Sequence, residues 1–271
     1  MSLKLHQSKN LKNKVFDWFP MDTEGLYDHH MEQQPTELAR TGYDKTNIKY
    51  TFNSDGFRSP EFEEGGIMFI GCSETLGVGR AWKDQWTTHV ADSLNLAQCN
   101  LGIIGASADT VFRNAYEWIP KLKPKIVHVL VPSDDRFELL TDTDVMRPAA
   151  VWMDWIEQPD WKDYKVFRDY WKLWYFEENN SKYNQLKNVL AVKQIAETYG
   201  AHFSHTWWDK DWLGLYTDLG RDLHHFGKET SRNYAKILLE TNLKNFQLMK
   251  IILDTRLKFD YNIFILMETS Q

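Results

Sequence analysis

Short apolar runs, each closed by glycine or proline and separated by helix-length segments, set the strongest limit on this chain's fold. Ile67-Met68-Phe69-Ile70 ends in Gly71, and the β-branched Ile126–Val131 lies between Pro124 and Pro132. Runs this short, with no polar face, are strands buried on both sides of a parallel sheet, whose crossovers need helices. Ala97–Leu101 and Ala201–Trp207 read as two further strands. Residues 82–95, Asp109–Leu122 and Lys228–Phe246 read as helices. A helical region with many aromatics fills 150–199 and ends at Gly200, a natural C-cap. Upstream, Ile48, Tyr50 and Phe52 alternate like a short strand before a turn at Asn53–Gly56. Alternating strands and helices imply βαβ units around one sheet, with sites beyond the carboxyl ends of the strands. Chemistry is therefore expected just after residues 71, 101, 131 and 207.

Composition narrows the classes. There is no internal repeat or Gly/Ser linker in the 271 residues, which favours one continuous domain with decorations. Residues 1–60 are expected as an extension packing on a core of residues 61–246. An aromatic-rich insertion is expected at about 145–180 and a C-terminal extension at 247–271. With 32 Lys+Arg against 38 Asp+Glu the net charge is −6, which argues against a nucleic-acid partner. No apolar stretch is long enough for a membrane span, and the first residues carry lysines but no apolar secretory region. Two cysteines, Cys72 and Cys99, make no disulfide framework, so a cytoplasmic setting is expected.

The strand ends carry the polar residues. After the first strand comes Gly71-Cys72-Ser73-Glu74-Thr75-Leu76-Gly77. It is not a P-loop, because no Lys follows, nor a G-x-S-x-G elbow, because Thr75 stands at the last glycine position. It leaves a serine at a strand-to-helix junction, either an N-cap or a nucleophile near helix amides that favour negative charge. The second strand runs into Asn100–Gly105, where a glycine can bring its amide close to a ligand or simply make a turn. The third runs into Pro132-Ser133-Asp134-Asp135-Arg136. Arg221-Asp222-Leu223-His224-His225 precedes the last helix. An Asp and a His three apart can fold so that the carboxylate orients the imidazole, or they can be a solvated turn or half of a metal site.

Together these residues resemble the SGNH (GDSL-type) hydrolase superfamily, with four blocks in order from residue 67 to about 240. The resemblance implies a three-layer α/β/α flavodoxin-like domain with a central parallel sheet. It implies Ser73 as nucleophile, His225 as base, Asp222 as the orienting acid and the Gly105 amide in the oxyanion hole. It implies no cofactor and no metal. Two departures stand out: Cys72 replaces the first-block Asp, and Asp134 falls where the family has its oxyanion-hole Asn. A carboxylate there repels a developing oxyanion unless it is protonated, or unless Arg136 supplies the positive charge. The implied activity is serine ester hydrolysis on a small ester or an acylated carbohydrate. An acyltransferase, or a weakened binding protein of the same fold, stands as the alternative.

Twelve tryptophans are many for this length, and five of them, Trp152, Trp155, Trp161, Trp171 and Trp174, fall in the insertion. They read as a packed cap or a contact in a homo-oligomer ahead of a sugar-stacking wall. His205 and Trp207, at the end of the fourth strand, are candidates for the substrate pocket. A metal at His202-x-x-His205 lacks further ligands.

Overall fold

The computed structural model describes residues 11–140, 146–150, 169, 173, 179–207, 216–244 and 246. The five tryptophans of the insertion, Trp208 and residues 247–271 lie outside the described residues. The elements, in chain order, begin with β1 (Val15–Phe16), α1 (Glu24–Gln33), α2 (Pro35–Thr41), β2 (Tyr50–Thr51), β3 (Ile67–Gly71) and α3 (Ser73–Leu76). Then come α4 (Trp86–Leu94), β4 (Gln98–Gly102), α5 (Ala108–Leu122), β5 (Ile126–Val131), β6 (Arg136–Leu140) and β7 (Met146–Ala150). The last are α6 (Asn180–Thr198), β8 (His202–Trp207) and α7 (Lys228–Glu240).

Four strands form a parallel sheet in the order β4-β3-β5-β8. Alternate residues of each strand enter opposite cores, as the pleat requires. Met68, Ile70, Val127 and Val129 pack with Val111, Ile119, Val189 and Val192 of α5 and α6. Ile67, Phe69, Ile126 and Leu130 pack with Trp86, Val90, Tyr234 and Leu238 of α4 and α7. Helices thus cover both faces. Trp86 is fully buried, edge-on to Phe69, His128 and Tyr234, and truncating it to Ala would cost about 3–5 kcal/mol. The strand order reverses at β3, with β4 on one side and β5 on the other; such a switch point opens a crevice at the carboxyl ends.

Residues preceding the sheet pack on the segment that follows β3. β1 pairs antiparallel with β2, and Tyr43, Ile48, Tyr50 and Phe52 pack on Leu76, Val78 and Ala81 of the loop that leaves β3. Among the described residues no helix is long and apolar enough to cross a membrane.

Several boundaries differ from expectation. The helix expected over 82–95 is a single 3₁₀ turn, Trp82–Asp84, and then α4, with Gln85 extended between them at ψ 141°. Asp84 is held by Tyr43 Oη at 2.9 Å, and the break lets Trp86 enter the core. α5 starts one residue early because Ser107 and Thr110 form a reciprocal capping box. α7 ends at Glu240, short of the expected Phe246. Arg136, expected in a loop, begins the antiparallel β6–β7 hairpin. Of the expected long helix, α6 is described, and Gly200 adopts the left-handed conformation that ends it, at φ +75°.

Candidate active site

Gly71 ends β3, Cys72 caps α3, and Ser73 opens that short helix. The turn that carries Ser73 is tied to the neighbouring strand by Asn100. Its Nδ2 donates to Thr75 O at 2.7 Å, while its Oδ1 accepts the Gly102 amide at 2.9 Å. Ser73 is therefore fixed by β3 below it and β4 beside it.

The loop before α7 brings in the other two side chains. His225 Nε2 lies 2.8 Å from Ser73 Oγ, and His225 Nδ1 forms a short hydrogen bond with Asp222 Oδ2. The second Asp222 oxygen accepts the backbone amides of His225 at 3.2 Å and His224 at 3.4 Å. Burial pushes the Asp222 carboxyl up, but the hydrogen bonds and charge of His225 outweigh it and hold it below the usual carboxylate range. All three side chains are buried. The arrangement is a serine, an imidazole and an ionised carboxylate in one hydrogen-bonded line. That line can move a proton off the serine and stabilise the cation that results.

The remaining expected residues are placed as follows. Gly105 is half-buried at φ +70° in the turn between β4 and α5, where only a residue without Cβ is unstrained. Asp134 is half-buried past the end of β5, its Oδ2 accepting Ser181 Oγ of α6 at 3.3 Å. Arg136 pairs loosely with Asp135 at 3.8 Å. His205 lies in register with Val129, its ring between Phe203 and Trp207, and β5 separates β8 from β3. The structure thus brings Ser73, His225 and Asp222 into contact, and sets His205 and Trp207 two strands away. Among the described residues no group of three or more His, Cys, Asp or Glu could hold a metal.

Three fully buried arginines near these residues carry no local signal in the sequence. Arg80 pairs with Glu74 at 2.9 Å and donates to Glu74 O at 2.7 Å and Phe226 O at 3.2 Å. Glu74, next to Ser73, also accepts the Phe226 amide at 3.1 Å, next to His225. Arg58 stacks on Tyr50 and donates to the carbonyls of Gly77 at 2.5 Å and Arg80 at 2.8 Å; burial lowers its pKa to about 10. Arg221 pairs with Asp22 at 2.8 Å. An arginine beside a motif aspartate is ordinarily read as solvated, and its partner is some 200 residues away in the chain, so no local pattern marks it.

No family model matches the chain, and no curated protein matches its sequence. Among solved structures, Axe2, an acetylxylan esterase from Geobacillus stearothermophilus, is similar at 19% identity. The match covers 68% of this chain and 96% of that one, with a TM-score of 0.32. Est2A, an acetyl xylan esterase from the rumen bacterium Butyrivibrio proteoclasticus, is similar at 12% identity, covering 69% of this chain and 65% of that one, with a TM-score of 0.41. Likeness at this level decides nothing about chemistry, which has to come from the side chains themselves.

Proposed function

We propose that the chain is a serine ester hydrolase of the SGNH type on a flavodoxin-like domain. Its substrate would carry a small acyl group such as acetyl on a carbohydrate or other small alcohol. The reading rests on one observation above all: Ser73 Oγ within 2.8 Å of an imidazole whose other nitrogen is held by Asp222. His225 Nε2 takes the Ser73 proton as Oγ attacks the acyl carbon, and the ionised Asp222 stabilises the imidazolium. The oxyanion rests on the Ser73 and Gly105 amides, the first of which opens a helix and has no acceptor inside it. His225 then returns the proton to the departing alcohol, and water, activated by the same imidazole, releases the acyl-enzyme.

Acyl transfer to a sugar hydroxyl is the second reading, favoured by the burial of Ser73 at 6% exposure, because a site that excludes water spares the acyl-enzyme. Release of acetate from an acetyl donor, with and without a sugar acceptor, separates the two. For the triad itself, a fluorophosphonate is expected to label Ser73, the label to vanish in Ser73→Ala, and labelling to slow by about 10²–10⁴-fold in His225→Ala, the usual contribution of a general base. A wild-type protein that neither takes the label nor hydrolyses p-nitrophenyl acetate would be a binding protein on this fold, and the enzyme reading would be wrong.

A further inference from the structure

The turn that carries Asp222 and His225 is held in a conformation it would not adopt alone. Leu223 sits at φ +51°, the left-handed region where a side chain crowds its own backbone. Strain of that kind persists only where the surroundings over-determine it. Two buried ion pairs bracket the turn. On its C-terminal side, Glu74 holds the Phe226 amide and is itself held by Arg80. On its N-terminal side, the Arg221 amide donates to Gly79 O at 2.8 Å, and the guanidinium is gripped by residues from the start of the chain. Nε and Nη2 donate to the Asp22 carboxylate at 3.0 and 2.8 Å. The other donations go to the carbonyls of Asp17 at 3.0 Å, and of Asp44 and Lys45 at 3.2 Å, with the plane 3.9 Å over Trp18.

Asp22 reaches the other half of the site as well. It accepts Tyr50 Oη at 2.5 Å, and that oxygen accepts the Gly79 amide at 2.9 Å, in the loop that leaves Ser73. One buried carboxylate is therefore bonded directly to Arg221, at the start of the turn with Asp222, and through the Tyr50 hydroxyl to Gly79, in the loop that follows the Ser73 helix. If residues 11–60 served only as apolar cover for the segment after β3, their packing on Leu76 and Val78 would need no ion pair. A desolvated ion pair adds little net stability over apolar packing, but it fixes geometry.

We propose that residues 11–60 belong to the catalytic unit, with Asp22 a positioning residue that, through Arg221, holds the Asp222–His225 turn against Ser73. The proposal rests on the triad reading above. Its test is Asp22→Asn, measured by the rate of fluorophosphonate labelling at Ser73 and by kcat and KM on p-nitrophenyl acetate. Expected is a fall of roughly 10- to 100-fold in labelling rate and kcat with KM within about twofold, since misplacement by an ångström costs that much. Adding Leu223→Gly to Asp22→Asn is expected to recover most of the loss, because glycine needs no outside hold at that φ. Should Asp22→Asn not fold, Tyr50→Phe removes only the hydroxyl bridge and is expected to lower kcat several-fold in the same way. A folded Asp22→Asn with the wild-type labelling rate overturns the proposal, as does a loss that merely follows the unfolded fraction and is not recovered by Leu223→Gly. A wild-type chain that takes no label overturns the hydrolase reading instead, and the positioning role falls with it.

Discussion

Asp134 is the residue at which the resemblance and the chemistry pull apart. An oxyanion hole needs a donor, and a lost donor costs about 10²–10³ in rate. Asp134 carries only acceptors when ionised, and its described bond is to the Ser181 hydroxyl at 3.3 Å. An asparagine there could keep that acceptor and add two N–H donors. Asp134→Asn is therefore expected to raise kcat on p-nitrophenyl acetate by about tenfold or more. An unchanged or lower rate in a folded variant would mean that the carboxylate does not face the developing charge. At this scale the triad candidates were legible in sequence, because Asp-x-x-His and a serine after an apolar strand are local patterns. Arg221 was not legible because its acceptors lie at the other end of the chain, and Arg58 and Arg80 were not because most of their acceptors are backbone carbonyls at separations that match no helix or strand period.

At the scale of elements, the strands were read best. Ile67–Gly71 and Ile126–Val131 are buried on both faces, so their apolar runs carry their own evidence. Boundaries set by tertiary contacts were harder. The break at Gln85 answers to Tyr43 and Trp86, and the β6–β7 hairpin follows a polar cluster that reads as loop. Arg113 secures that hairpin to α5 by two bonds to Glu138 at 2.8 and 2.6 Å, a pairing no periodicity announces. The loop after α3 gives the sharpest test at this level. Gly79 lies at φ +70°, and a Cβ there would collide with the Asp222 carboxylate. Gly79→Ala is thus expected to cost about 1–2 kcal/mol in urea unfolding through backbone strain alone. It should also slow Ser73 labelling by pushing Asp222 off His225. A variant that loses stability but labels at the wild-type rate would show that Asp222 adjusts without consequence.

For the molecule as a whole, the polar groups inside the sheet layers make stability depend on pH. His128 lies on β5 within the core, Nδ1 2.8 Å from Ser204 Oγ and Nε2 3.2 Å from Tyr234 Oη. Burial, with the nearby His205 adding to it, lowers its pKa to about 3. Burial also lowers the pKa of His89, reinforced by Arg232, and of His205, reinforced by Lys193. In the unfolded chain each titrates near about 6.5. Between these values the unfolded state binds more protons than the folded one, so stability must rise with pH and level off above about 6.5. Ionised Asp222 acts in the same sense at lower pH: its stabilisation is complete above the ordinary carboxyl range and is lost as pH falls through its depressed pKa. The urea midpoint is accordingly expected to fall steadily from pH 7 to pH 4.5. His128→Gln, which keeps a polar group facing Ser204 and Tyr234 but cannot be charged, should flatten that fall without abolishing it, since His89 and His205 remain. An unaltered slope in the variant would mean that His128 is protonated in the folded core, at odds with its neutral contacts to two hydroxyls and the Trp86 ring edge.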